Sequence, residues 1–299
     1  MIIRSKPSFK DILFSINGSI IPRIIYHLIA VAILSIVAVL AAKEYPGIFE
    51  QISAIPFTLI GIALSVFMSF RNNACYDRWW EGRKLWGELI IACRSLARQT
   101  SKLEQQDKEF IYRRLCAFTA GLSAHTRKTP VDIAIKPWLD NIQMDPESPN
   151  LTNDILDQIG AHLLELTETG KISAIHYSVL ETQLTRLSQV HAGCDRIMQT
   201  PVPFAYSLLL HRTALIFCVT LPFALAGSLA WWTLLPVLLV AYTFFGLEAL
   251  GHQLEDPFGN DPNALPLDTM RRTVERELLF ALGEKPLPPR IEPVGYVLK

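Results

Sequence analysis

The chain has 299 residues, half of them hydrophobic, and its 28 basic residues balance its 28 acidic residues. With a mean hydropathy of +0.26, this composition indicates an integral membrane protein. The zero net charge gives no reason to expect a nucleic-acid partner. The five cysteines form no Cys-x-x-Cys pair and the seven histidines have no ligand-like spacing, so free thiols in helices and no metal site are predicted.

The N-terminal segment, residues 1–23, is basic and lacks the compact apolar core of a cleavable signal. Four basic side chains outnumber the single acid there, which places the N-terminus in the cytoplasm by the positive-inside rule. Residues 24–42 carry no charge over 19 positions, enough for a first membrane span. No secretion signal is predicted.

A second span is predicted over residues 52–70, which carry no charge and measure about 28 Å as a helix. Two rows of side chains recur there at every fourth position, one of small residues (the small row) and one of large apolar residues (the large row). The small row predicts a close helix-packing face. If several copies surround an axis, the large row forms stacked apolar rings that gate ions by dewetting. The alternative is that the large row faces lipid or a neighbouring helix. The small row is Gly61, Ser65 and Ser69, and the large row is Ile62, Val66 and Phe70.

Helical spacing continues without a proline through residues 71–126, which predicts one long helix and its partner. The tryptophans and Tyr76 near its start are also typical of an interfacial belt. Four prolines in residues 129–150 predict a surface connection, and helical pattern resumes near Leu151 and from Ile172. Residues 71–200 thus form a soluble helical insertion between spans two and three.

Residues 213–247 carry no charge over 35 positions, too many for one span and enough for two. The turn is predicted near Gly227, with Trp231 and Trp232 at an interface. A cytoplasmic turn, a helix over about residues 268–282 and a proline-rich tail follow. The tail is expected to lie along another surface or to be disordered. The predicted divisions are 1–70 with spans one and two, 71–212 cytosolic, 213–247 with spans three and four, and 248–299 cytosolic.

The sequence contains no phosphate-binding glycine loop, nucleophile elbow or paired metal-ligand spacing, so no enzyme and no cofactor are predicted. Glu248, Glu255, Asp256 and Asp261 lack the alternating oxygen donors of a dedicated calcium loop. Capping of a turn is the commoner role for such carboxylates.

Two distant motifs resemble the signature of the bestrophin family, particularly its bacterial branch. The first runs from Arg71 to Gly87 and the second from Gly246 to Leu267. Together with the order of the apolar segments, the resemblance covers nearly the whole chain. The signature residues are Arg71, Tyr76, Asp77, Arg78, Trp79, Trp80, Glu81, Arg83, Trp86, Pro257, Phe258 and Gly259.

The resemblance implies an all-α integral membrane protein with four transmembrane helices per subunit and a cytosolic helical region. It further implies a homopentamer around a central pore, in the bacterial inner membrane, with both termini cytoplasmic. The family's apolar pore neck falls on Ile62, Val66 and Phe70. Its cytosolic aperture falls on Leu180, for which the alternative is a buried helix-packing residue.

The function implied by the resemblance is an ion channel. A resemblance to the animal bestrophins implies an anion channel, whereas a resemblance to a studied bacterial branch implies a channel for monovalent cations such as sodium. The bacterial motifs of this sequence therefore favour cations. An anion channel for chloride is the alternative. A membrane scaffold and a redox enzyme using the tryptophan-rich segment are further hypotheses. The acidic run that helps to bind calcium in animal members is reduced here to Asp261, so calcium activation is not predicted.

Overall fold

The computed structural model describes residues 1–3, 18–139 and 148–299. The regular structure of these residues is helical, apart from isolated β-bridges that Val297 forms with Ile2 and Val294. The basic N-terminal residues 4–17 and Pro146 of the predicted connection lie outside the described residues. The helices are α1 (Ile21–Glu44), α2 (Pro46–Phe49), α3 (Ile55–Gln99), α4 (Gln105–Thr126), α5 (Val131–Ile135), α6 (Leu151–Glu168), α7 (Ala174–Gln199), α8 (Phe204–Leu229), α9 (Leu234–Glu255) and α10 (Leu267–Leu282).

Two compact units make up the chain. One, here called the apolar unit, comprises the described residues 18–79 and Pro201–Asp256. The other, the charged unit, comprises Met1–Ile3, Trp80–Thr200 and Pro257–Lys299. The division falls inside helix α3, which has 45 residues.

In the apolar unit, α1 packs against α8 and α9. Its hydrophobic core includes Ile24 of α1, Leu64 and Met68 of α3, Phe217 of α8 and Val237 of α9. By length and composition, three helical stretches of the described chain could cross a membrane: Ile21–Glu44, Ile55–Gln99 and Phe204–Glu255.

The third stretch consists of α8 and α9, joined by the short 3₁₀ helix Ala230–Thr233. The rings of Phe217 and Phe244 contact each other edge to face at 5.6 Å, and His211 lies against Glu248. Because later residues of α8 meet earlier residues of α9, the two helices are antiparallel. The predicted helical hairpin is therefore present, although its turn lies a few residues after Gly227.

In the charged unit, α4 lies at the centre and contacts α5, α6, α7 and α10. Its residues from Ile111 to Ala124 are nearly all buried, as expected for a helix covered on every side. Helices α6 and α7 begin at side-chain caps, where Asn150 and Ser173 accept hydrogen bonds from backbone N–H groups three residues later. The predicted start near Leu151 is confirmed, and α7 begins two residues after the predicted Ile172.

The proline-rich tail lies along α10, whose predicted extent is confirmed to within a residue. Arg272 Nη1 donates to the carbonyl of Pro289 at 3.1 Å, and the hydroxyl of Thr269 donates to the backbone oxygen of Lys299 at 2.6 Å. The Met1 amino group also donates to the Leu298 carbonyl at 2.5 Å. The expectation that the tail lies along another surface is therefore confirmed.

All five cysteines lie in the described part of the chain, where they are buried and free. They occupy α3, α4, α7 and α8, as the prediction of reduced thiols in helices requires. Burial raises the pKa of the Cys116 and Cys194 thiols because desolvation disfavours the thiolate. These two thiols are therefore poor nucleophiles.

Candidate functional site

The candidate neck residues lie on the face of α3 that the rest of the chain leaves uncovered. Ile62, Val66 and Phe70 are 59%, 46% and 62% exposed, whereas Leu64 and Met68 are buried in the apolar unit. At 100° per residue, the exposed row lies about 180° around the helix from the buried pair. Among the described residues, none buries the three side chains of this neck row, which stay about half exposed or more.

The small row beside the neck residues packs only in part. A Cβ added at Gly61 would lie 3.1 Å from Cζ of Phe217, so this glycine allows a close approach to α8. Ser65 and Ser69 are exposed, and the Ser65 hydroxyl donates to the Gly61 carbonyl of its own helix. The predicted packing face is therefore limited to Gly61 within this chain, and Leu64 and Met68 take over the contact because they project further into the core.

Immediately after the neck row, side chains of α3 form an ion pair and hydrogen bonds with α9. Arg71 is buried, and its Nη2 lies 3.5 Å from Glu255 Oε2. Asn72 Nδ2 donates to the Leu247 carbonyl at 3.1 Å, and Arg78 Nε donates to the Glu255 carbonyl at 3.2 Å. These contacts bring the first signature motif against the second.

A glycine on α9 leaves room for the side chains that join the two helices. A Cβ added at Gly251 would lie 2.4 Å from Oδ1 of Asn72 and 3.3 Å from Nη1 of Arg71. Real Cβ atoms do not approach so closely, and any larger residue would displace the fastening side chains. Sequence reasoning missed this role of Gly251, although it lies inside the second motif.

In the charged unit, the two motifs meet through apolar packing. The Phe258 ring is fully buried, and a Cβ added at Gly82 would lie 3.1 Å from its Cε1. The same added Cβ would lie 3.3 Å from Cδ1 of Leu265. Pro257 is buried as well, so the Pro-Phe-Gly segment is a packing element.

The remaining signature residues divide by exposure. Trp86 is fully buried, so its assignment to an interfacial belt is wrong: its helix position faces the core of the charged unit. Tyr76, Asp77 and Trp80 are exposed, and Tyr76 stacks beside Trp79 with 6.2 Å between ring centroids. Arg78, Trp79, Glu81, Arg83 and Gly259 are partly buried, and Glu81 forms an ion pair with Arg196.

Leu180 of α7 is fully buried. A side chain that lines an aperture must be reachable from the pore, whereas this one packs inside the charged unit. Its burial favours the alternative interpretation of Leu180 as a helix-packing residue.

Two of the four acidic residues considered for calcium have basic partners. Glu255 pairs with Arg71, and Glu248 pairs with His211. These two carboxylates hold helices together.

Several apolar helices of membrane length, packed on one another and left largely uncovered outside, define a helical membrane protein. A family model described as Bacterial/Fungal Bestrophin protein matches residues 1–279. The chain belongs to the bacterial and fungal bestrophin family. The resemblance found from the two motifs is thereby confirmed.

Curated relatives and a solved structure extend over most of the chain. A protein of Mesorhizobium japonicum named voltage-dependent anion channel-forming protein is 38% identical over 289 residues, covering 96% of this chain and 94% of its own. A relative of the same descriptive name from Escherichia coli is 36% identical, covering 98% of each chain. The crystal structure of a bacterial bestrophin homologue from Klebsiella pneumoniae matches with a TM-score of 0.82 and 38% identity, covering 88% of this chain and all of that one.

Proposed function

We propose that the protein is a membrane ion channel that conducts small anions such as chloride. The names of its relatives, which describe voltage-dependent anion channel-forming proteins, support this class of activity. They do not support the cation preference expected from the bacterial motifs, and they favour the anion alternative. Sodium conduction therefore becomes an outcome of the test below.

The observation that carries the pore assignment is the uncovered face of α3. Of the residues in the apolar stretch of α3, only 17% are buried, compared with 28% of those in α1 and 39% of those in the α8–α9 stretch. Large apolar side chains at positions 62, 66 and 70 project from the face opposite to the one packed in the chain. If several copies surrounded an axis, this row would form three stacked apolar rings. Such rings can gate ions by excluding water from the pore.

The assembly proposed from the family resemblance is a homopentamer in the inner membrane, with four spans per subunit and both termini in the cytoplasm. The antiparallel contact of α8 with α9 supports counting them as two crossings. With α1 and α3 the number of crossings is even, which agrees with termini on one side. The cytosolic helical region proposed between the second and third spans then comprises residues 71–212.

The proposal is tested by the reversal potential of the purified protein in a planar bilayer under a sodium chloride gradient. A value near the chloride equilibrium potential is expected. A value near the sodium potential would keep the pore and overturn its proposed selectivity. Electrically silent bilayers, with the protein shown to be inserted and folded, would contradict the channel proposal and favour a scaffold.

A further inference from the structure

Two histidines and an aspartate meet inside the charged unit, away from the candidate neck. His125 lies in the last turn of α4, and His191 and Asp195 lie one turn apart on α7. One potential ligand atom from each of the three residues lies within 4.8 Å of the others. His125 Nε2 is 2.7 Å from Asp195 Oδ1, and His191 Nδ1 is 3.7 Å from Asp195 Oδ2.

The spacing of these atoms suits a small divalent transition-metal ion. Ligand atoms bound tetrahedrally to Zn²⁺ at about 2.0–2.2 Å lie about 3.3–3.5 Å apart, so shifts of about 1 Å would complete the coordination. Imidazole nitrogen with one carboxylate oxygen is a donor set that zinc accepts and that calcium and magnesium do not prefer. The three side chains also arise from two packed helices, which hold them at the right separation.

Burial differs among the three groups in a way that suits such a site. The His191 side chain is 7% exposed, and its Nε2 is buried without a hydrogen-bond partner among the described residues. The nitrogen that faces Asp195 is Nδ1, which at 3.7 Å lies beyond hydrogen-bond distance of that carboxylate, so its lone pair is available to an ion. His125 and Asp195 are 37% and 24% exposed, which gives an ion a path from solvent and leaves a position for a water ligand.

We propose that His125, His191 and Asp195 form a binding site for a divalent transition-metal ion of the zinc class. A bound ion would join the C-terminal turn of α4 to α7. Arg127 is the next basic residue along the chain after His125, and its guanidinium lies 2.7 Å from the Asp268 carboxylate. This carboxylate balances the positive charge of Arg127, which would otherwise oppose a bound cation.

A second histidine–aspartate pair in the same unit provides a matched control. His162 Nε2 lies 3.1 Å from Asp107 Oδ1, but Lys171 Nζ lies 3.0 Å from the other oxygen of that carboxylate. An ammonium group at this distance opposes a second cation. Of the described histidine, cysteine and acidic residues, only the His125 cluster brings three ligand atoms together at this spacing.

The test uses the full chain in detergent, with any affinity tag removed and metals stripped by a chelator. Zinc is titrated against a chromophoric chelator, and cobalt is used as a second probe because tetrahedral Co²⁺ absorbs visible light. We expect one zinc ion per chain, and His125→Gln should lower its affinity at least about tenfold. His125 is the more exposed histidine, so this substitution leaves the fold least disturbed.

The control variant His162→Gln should bind zinc as the unmodified chain does. Zinc should also raise the thermal unfolding midpoint of the unmodified chain and of His162→Gln by more than that of His125→Gln at the same zinc concentration, because the stabilisation grows with the affinity of the folded state for the ion. Unchanged zinc affinity in His125→Gln, or equal losses in both variants, would overturn the site. The measurement needs no ion current, so its outcome is independent of the proposed channel function.

Discussion

Helix α3 has two halves with opposite relations to the rest of the chain. Up to Phe70, its large apolar side chains are mostly uncovered, whereas from Arg71 onward several side chains are held by buried pairs and close packing. Arg71 and Trp86 of this second half are buried within the chain, although Tyr76 and Trp80 are exposed. The first half leaves its apolar side chains to be covered by lipid, by other copies or by a water-containing path, and the proposed pore constriction lies there.

The signature residues and the neck residues also differ in what they contact. Motif residues such as Arg71, Gly82 and Phe258 explain how the chain holds its own helices together. The neck row lies outside the charged motif and makes little contact with its own chain. Substitutions in the two halves should therefore have different consequences, in stability for one and in conduction for the other.

The largest loss of stability is expected for Phe258→Ala. Its ring is fully buried against Gly82 and Leu265, so the substitution leaves a cavity and should lower the free energy of unfolding by about 3–5 kcal/mol. The control Phe280→Ala removes an exposed ring of α10 and should change the value by about 0.5 kcal/mol or less. Denaturant titration in detergent, followed by tryptophan fluorescence, measures both, and similar losses would contradict a packing role for the motif.

A smaller loss is expected for Arg71→Met. The substitution removes the buried cationic partner of Glu255, and because Glu255 retains some solvent contact, the loss should be about 2 kcal/mol, below the range for fully buried pairs. Arg94→Met provides the control. Its partner Glu277 is closer, at 2.6 Å, but both side chains are exposed, so the loss should stay under about 1 kcal/mol. A larger effect at Arg94 than at Arg71 would refute the importance of burial here.

The smallest effect is expected for Gly251→Ala, about 1–2 kcal/mol, since the added Cβ would lie 2.4 Å from the Asn72 side chain. Shortening that side chain as well, in Asn72→Ala combined with Gly251→Ala, should cost less than the sum of the two single changes. Gly47→Ala, with no atom within 4 Å of the new Cβ, is the control. Additive losses would show that the close contact does not couple the two positions.

Local sequence pattern predicted the helices well because helical periodicity and the length of apolar runs act within one segment. The α8–α9 hairpin and the start of α6 are examples. Burial was harder to predict. Trp86 faces the core of the charged unit and Leu180 packs inside it, because the faces of a helix that are covered depend on which other helices fold against it.

Contacts between distant segments were missed for the same reason. Glu255 as the partner of Arg71 could not be recognised from spacing, and the His191–Asp195 pair gains its third member, His125, from another helix. Ion preference depends on charges around an assembled pore, so the pattern within one chain does not determine it.

Single-channel recording tests whether the uncovered row of α3, Ile62, Val66 and Phe70, forms the pore constriction. Replacing Ile62, Val66 and Phe70 together by alanine should raise the conductance or the open probability, because smaller side chains widen and wet the neck. The control replaces Ile60 and Phe67, which are also exposed on α3 but lie about 100° or more around the helix from Val66. We expect altered currents for the triple variant and unaltered currents for the control. Unchanged currents in the triple variant would show that these side chains do not form the constriction.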